Sequence, residues 1–194
     1  MNNKIVMGVD EVGRGCLAGS VFAAAVILPE GNEHHKWISE IRDSKKLSSK
    51  KREYLANLII KNSVWYIEQS WPDQIDRDNI LNATLDAMRR AVESASIIQK
   101  PELVLVDGNK TIPDLDFPQE CIKSGDDIIK AIGAASIIAK VTRDNQMKVL
   151  HSVHPEYGWD RNKGYGTKEH REAIRSYGIT SLHRTSFRGV AEYV

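Results

Sequence analysis

Only two cysteines, Cys16 and Cys121, occur in the 194 residues, and their spacing matches no zinc pattern. That scarcity excludes a disulfide scaffold and a structural zinc site, and it fits a reducing compartment. Long apolar runs are missing as well: the longest, "VFAAAVIL" at 21–28, falls far short of the roughly 20 residues that span a bilayer. The opening stretch "MNNKIVMGVD" carries no apolar leader or cleavage pattern, so no signal peptide is expected and the cytoplasm is the expected location. Internal repeats and low-complexity tracts are absent, which argues against a solenoid or a disordered tail. A large excess of one charge is absent too, since the net charge is +1. A local surplus exists: residues 140–194 hold 10 Lys or Arg against 6 Asp or Glu, a mildly basic quarter suited to an anionic partner or to plain solvation.

What is present is an ordinary globular composition, 27% charged and 41% hydrophobic, long enough for one well-buried α/β domain over 1–194. "KIVMGVD" (4–10) and "SVFAAAVILP" (20–29) read as strands joined by a short glycine-bearing connection, which favours an antiparallel pair. The second is apolar on both faces and belongs in the middle of a sheet. "DSKKLSSKKREYLANLIIKN" (43–62) reads as helix, with Ser48 or Ser49 as its cap, and "SVWYIEQSW" (63–71) as a third strand. From Asp78, the residues Ile80, Leu81, Leu85, Met88, Val92 and Ala95 define a long amphipathic helix. "PELVLVDG" (101–108) is a short buried strand ending on an acid and a glycine. "DDIIKAIGAASIIAKVTRDNQMKVL" (126–150) is a helix whose middle is small and apolar almost all round, as a helix packed closely on a sheet requires. Residues from about 151 to 194, rich in glycine, read as loops around one short helix near 167–176. The six histidines, His34, His35, His151, His154, His170 and His183, show no metal-ligand spacing.

The chemistry-bearing residues are acids. Asp10 and Glu11 sit side by side at the expected end of the first strand, and neighbouring side chains of an ideal strand point to opposite faces. They converge only if the strand ends or bends between them. Asp107 closes another apolar strand; if the two strands are parallel neighbours, Asp10 and Asp107 share the edge where open sheets bind ligands. Clustered carboxylates without imidazole or thiolate suit Mg²⁺ or Mn²⁺ rather than zinc, and such ions serve phosphoryl chemistry. Taken by themselves, these acids admit two readings, a metal site or turn and cap residues.

Six ordered blocks narrow the choice: "GVDEVGRG" (8–15), "DSKKL" (43–47), "LVDGN" (105–109), "AASIIAKVTRD" (134–144), "KGYGTKEH" (163–170) and "HRTSF" (183–187). Together they resemble bacterial ribonuclease HII, from about residue 6 to residue 188. The resemblance implies an α/β fold, a ribonuclease H-like mixed sheet flanked by helices, with a small C-terminal helical and loop extension that contacts substrate. It implies an endonuclease that cuts the RNA strand of RNA–DNA hybrids, and also cuts at single ribonucleotides in duplex DNA. Carried over by position, the metal-binding catalytic acids are Asp10, Glu11, Asp107 and Asp126, holding up to two Mn²⁺ or Mg²⁺ ions. Two departures accompany this. Ser124 stands where the family usually has lysine, leaving Asp127 as a rival to Asp126, and Ser20 replaces a common proline.

The same resemblance implies that the backbone of Gly13, Arg14 and Gly15 approaches the ribose 2′-hydroxyl, and that Tyr165 packs on the following deoxyribose. Lys45, Lys46 and Arg184 are implied as phosphate contacts, which position a duplex without reading its sequence. Asp144 is assigned to structure, a helical turn or salt bridge, and Asp43 and Ser44 serve the local turn equally well. No membrane partner is expected, and a monomer is. The rival readings are a junction-resolving or transposase-type nuclease, and a catalytically silent RNA–DNA binding module.

Overall fold

The computed structural model describes residues 4–31 and 35–194; His34 and the first three residues of the opening stretch therefore lie outside the described residues. The two glycine-joined apolar stretches form β1 (Val6–Val12) and β2 (Val21–Ile27), paired antiparallel with Asp10 opposite Ala24 and Val12 opposite Phe22. β2 is buried at every residue, as its lack of polar alternation requires, and β3 (Val64–Ser70) lies antiparallel on its other side. β4 (Leu103–Asp107) runs parallel to β1, and β5 (Gln119–Ile122) parallel to β4, giving the order β3-β2-β1-β4-β5. The helices are α1 (Lys36–Ser39), α2 (Ser49–Asn62), α3 (Pro72–Asp78), α4 (Ile80–Ile98), α5 (Gly125–Ile128), α6 (Lys130–Val153), α7 (Trp159–Asn162) and α8 (Lys168–Tyr177).

Strand alternation divides the core between the two faces of the sheet. Met7, Val9, Ala23, Ala25, Val104 and Val106 pack against Ala87, Met88, Ala91, Val92 and Ala95 of α4. Ala24 and Val26 point the other way, into Leu55 and Ile59 of α2 and Ala134, Ala135, Ile137 and Ile138 of α6. α6 can lie this close because Gly8 has no side chain: a Cβ there would stand 2.2 Å from the carbonyl carbon of Ala131.

Several element boundaries differ from the sequence reading. The 43–62 stretch divides into a 3-10 turn at Ser44–Lys46, capped by the Asp43 carboxylate, and α2, capped by Ser48. Asn79, with φ of 64°, separates α3 from α4 and caps the latter through Oδ1, which accepts from Leu81 and Asn82 at 3.0 and 3.1 Å. Asp126 and Asp127 start the short α5 rather than α6, because Ile129 has extended backbone. β5 was not expected; at four residues with Gln119 and Glu120 in its first half, it carries no apolar run.

Beyond α6 the chain builds a second small core, where Tyr157, Trp159, Ala173, Ile174 and Val190 enclose Leu17, Ala18 and Met147. The ring of Tyr157 stacks on Trp159 with centroids 5.0 Å apart. His170 and His183, both buried, complete it. Burial lowers the pKa of both, and that of His183, also opposed by His170, drops to about 4. The folded state thus favours neutral rings, whereas the unfolded chain takes up protons below the ordinary histidine pKa, about 6.5. Stability should accordingly be lost as pH falls from about 6.5 towards about 4. Thermal melts over this range should show a falling midpoint, with a shallower fall in His183→Gln; identical slopes for the two proteins would contradict this account.

Candidate active site

The parallel register of β1 and β4 runs Val6 to Leu103 through Val9 to Val106. The next residues along, Asp10 and Asp107, lie at the same end of the two strands and line one cavity. β1 does not end at these acids as the sequence suggested; it continues through Glu11 to Val12 along β2, while β4 stops at Asp107. The early end of β4 leaves Glu11 without a strand neighbour on that side. Two adjoining hollows result, with Glu11 and Asp107 lining both. Asp10, Glu11, Asp107 and Asp126 all line one cavity of about 240 Å³, together with Ser44, Lys45, Ser136, Lys140 and Tyr165.

α5 brings in the fourth acid. Its Gly125 N–H donates to Asp107 Oδ1 at 2.7 Å, which seats Asp126 in the cavity. Asp127 turns outward and pairs with Lys46 at 2.5 Å, and that hydrogen bond holds its pKa down. Ser124, at the lysine position, takes left-handed backbone with φ of 54° and makes no side-chain cap. The Asp43 carboxylate accepts from Lys45 N–H at 2.9 Å, and the Ser44 hydroxyl meets that of Ser136 at 3.0 Å. Asp144 pairs with Lys140 at 2.7 Å, the structural role expected of it.

Burial pushes the Asp10 carboxyl well up, and the charges of Glu11 and Asp107 push it further, against hydrogen bonds from Ser136 and the Glu11 N–H. Burial raises Glu11 too, opposed by Arg14, whose guanidinium lies 3.4 Å from Oε1. Asp126 is raised by burial, Asp43 and Asp107. Such a site favours a cation or a proton. The donors fit a hard divalent cation, since the cavity is lined by carboxylates and no histidine or cysteine. In the conformation seen, Asp10 Oδ1 accepts from Glu11 N–H at 2.7 Å and Asp107 Oδ1 is held by Gly125. Among the described residues, no three His, Cys, Asp or Glu side chains converge on one point closely enough to ligate an ion together.

The glycine-arginine-glycine loop is shaped from behind. Gly13 has φ of 92°, and a Cβ there would lie 2.2 Å from Arg143 Nε. Arg143, buried and unremarked in the sequence reading, donates to the carbonyls of Ser20, Lys163 and Ala18 at 3.0, 2.8 and 3.1 Å. Arg184 requires a correction. It is fully buried, donating to the carbonyls of Gly13, Arg14 and Gly19 at 2.7 to 3.0 Å, and its head does not reach solvent to meet a phosphate. Burial lowers its pKa to about 10, so it stays charged at neutral pH. The sequence signal for this role was present in "HRTSF", but a buried guanidinium serving carbonyls looks in sequence like a surface one. Ser20 is buried as well, and its hydroxyl finds no partner among the described residues. Tyr165, 40% exposed, faces the acids' cavity and forms a β-bridge with Cys16, just after the loop.

Fold and site together define a nuclease of ribonuclease H-like architecture built around carboxylates. The ribonuclease HII family profile matches residues 7–190, and the chain belongs to that family. It is 47% identical over 187 residues to a ribonuclease HII of Neisseria meningitidis serogroup C, covering 96% of this chain and 93% of that protein. Among solved structures, ribonuclease H2 from Pyrococcus horikoshii superposes with a TM-score of 0.80 at 26% identity, over 97% and 96% of the two chains. Bst-RNase HIII in complex with Mn²⁺ shares the fold, with a TM-score of 0.80 at 18% identity over 98% of this chain and 69% of that one. The family is one of metal-dependent endonucleases acting on RNA–DNA hybrids, which sets aside the silent module and the junction-resolving rival.

Replacing Arg184 by lysine keeps a charge but loses the planar fork that serves three carbonyls. Arg184→Lys should lower unfolding free energy by about 2–4 kcal/mol, the scale of unsatisfied buried acceptors. Urea titration checks this, and an unchanged midpoint would show that the guanidinium does not hold the loop.

Proposed function

We propose that the chain hydrolyses the RNA strand of RNA–DNA hybrids and cuts at single ribonucleotides in duplex DNA, using Asp10, Glu11, Asp107 and Asp126 as metal ligands. The observation that carries this reading is that Tyr165 and all four acids line one cavity. A group that packs on the deoxyribose after the ribonucleotide then stands beside the hydrolytic centre. Up to two Mg²⁺ or Mn²⁺ ions bound there would activate water and stabilise the departing 3′-oxygen. Mn²⁺ is the ion bound by Bst-RNase HIII, which shares the fold.

The protein's own groups have distinct tasks. Asp10 and Asp107 project from adjacent parallel strands and supply a rigid pair of ligands; Glu11 reaches the rim from the longer strand; Asp126 is brought in by α5. Water adds to phosphorus as the bond to the 3′-oxygen breaks, leaving a 3′-hydroxyl on one fragment and a 5′-phosphate on the other. No protein nucleophile is required. The backbone of Gly13, Arg14 and Gly15 approaches the 2′-hydroxyl, the group that separates RNA from DNA. The space where a Gly15 side chain would stand is open, which supports close approach there. Lys45, beside the acids, and Lys46, once released from Asp127, contact phosphates. Residues beyond α6 act as the substrate-contacting extension through Tyr165.

Asp10→Asn removes one ligand charge at the buried centre and should abolish cleavage while the far-ultraviolet dichroism stays unchanged. Parental turnover by this variant with Mn²⁺ or Mg²⁺ present would refute the metal assignment. Tyr165→Ala should slow cutting at an isolated ribonucleotide by the equivalent of about 1–3 kcal/mol, the worth of one stacking contact. Steady-state kinetics on a duplex with one ribonucleotide measures it, and equal kcat/KM would remove Tyr165 from substrate recognition.

A further inference from the structure

The buried polar cluster behind Tyr165 has no part in the chemistry above. His183 Nδ1 accepts a hydrogen bond from Thr180 N–H at 3.0 Å, so its proton resides on Nε2. That Nε2 lies 3.2 Å from His170 Nε2, which also receives the Trp159 indole N–H at 3.0 Å. Two donors converge on one ring nitrogen, so His170 Nε2 carries no hydrogen and its proton sits on Nδ1. Nδ1 lies 3.0 Å from the carbonyl oxygen of Tyr165. The opposite tautomer would bring three N–H groups together and leave that carbonyl facing a lone pair.

We infer that His170 is a positioning residue, held in one tautomer by His183 and Trp159 so that its Nδ1–H fixes the backbone of Tyr165 beside the acids. The inference rests on the reading that Tyr165 contacts the substrate. Its physical basis is the absence of slack. The Tyr165 N–H donates to Asn162 at 2.9 Å, its carbonyl accepts from Thr167 N–H at 2.8 Å, and the His170 bond fixes the same peptide from inside the core. α8, which carries His170, is capped at Thr167, two residues from Tyr165, so ring and loop form one rigid piece. The aromatic ring lines the cavity, with Lys140 Nζ and Arg143 Cζ each 6.0 Å from its centre. A hydrophobic residue at 170 could fill the core, but it would leave that carbonyl with the Thr167 N–H alone.

Two substitutions separate holding from filling. Asparagine places its amide nitrogen near the position of Nδ1 and keeps the donor to Tyr165; glutamine reaches the position of Nε2 and loses it. Both should lower thermal stability. On duplex DNA with one ribonucleotide, kcat/KM should fall about tenfold in His170→Gln, the worth of one hydrogen bond, and stay within about twofold of parent in His170→Asn. His170→Gln combined with Tyr165→Ala should be no slower than Tyr165→Ala alone. Equal losses in the two His170 variants, or losses that multiply with Tyr165→Ala, would overturn the inference. A slow Tyr165→Ala beside a normal His170→Gln overturns the positioning role alone, whereas a normal Tyr165→Ala overturns the reading of Tyr165 and the positioning role with it. If the variants do not fold, ¹⁵N spectra of the intact chain decide: the proton on Nδ1 of His170 and Nε2 of His183 supports the inference, and a proton on Nε2 of His170 overturns it.

Discussion

The arrangement depends first on how closely a helix can approach a strand. α6 crosses β1 where Gly8 presents no side chain, and its buried face is made of Ala131, Ala134, Ala135 and Ala139 between isoleucines. That approach brings Ser136 to Asp10 and, through the extended link at Ile129, sets α5 against the end of β4. The acidic cavity is thus a by-product of tight layer packing. Its carboxylates come from two strands and a helix start, and none is placed by a flexible loop.

A second level of order governs the loop after β1. Its carbonyls are gripped from inside by Arg143 and Arg184, which come from a helix and from the terminal segment. Asp76 of α3 fastens that terminal segment, accepting from the backbone and hydroxyls of Thr185 and Ser186 at 2.5 to 2.9 Å. Burial pulls the Asp76 carboxyl upward, but these four bonds hold it below the usual carboxylate range. The C-terminal segment therefore acts as a clamp on residues more than 160 positions earlier, the separation between Gly19 and Arg184.

Much of this was legible in sequence where a local rule decides. The glycine-bearing connection between β1 and β2, the two-faced apolarity of β2 and the small-residue middle of α6 each state their surroundings directly. Which of Asp126 and Asp127 faces the cavity was not legible, because adjacent acids differ only through their surroundings: the Gly125 N–H bond to Asp107 anchors α5 there, and Lys46, distant in the chain, pairs with Asp127. β5 was hidden because an edge strand of four residues needs no apolar pattern. Arg143 and Arg184 were misjudged or passed over for a related reason: composition rules send guanidinium to the surface, and only tertiary contacts reveal carbonyls waiting inside. The tautomers of His170 and His183 likewise follow from distances alone.

Peptide planarity gives the inward grip on the loop an outward counterpart. A trans peptide sets its N–H opposite its C=O. With the Gly13 and Arg14 carbonyls directed to Arg184, the amide hydrogens of Arg14 and Gly15 are directed away from it. These two peptides keep their acceptors for the interior and turn their donors the other way. Any ligand that met these two peptides from the side away from Arg184 would find donors there and neither carbonyl.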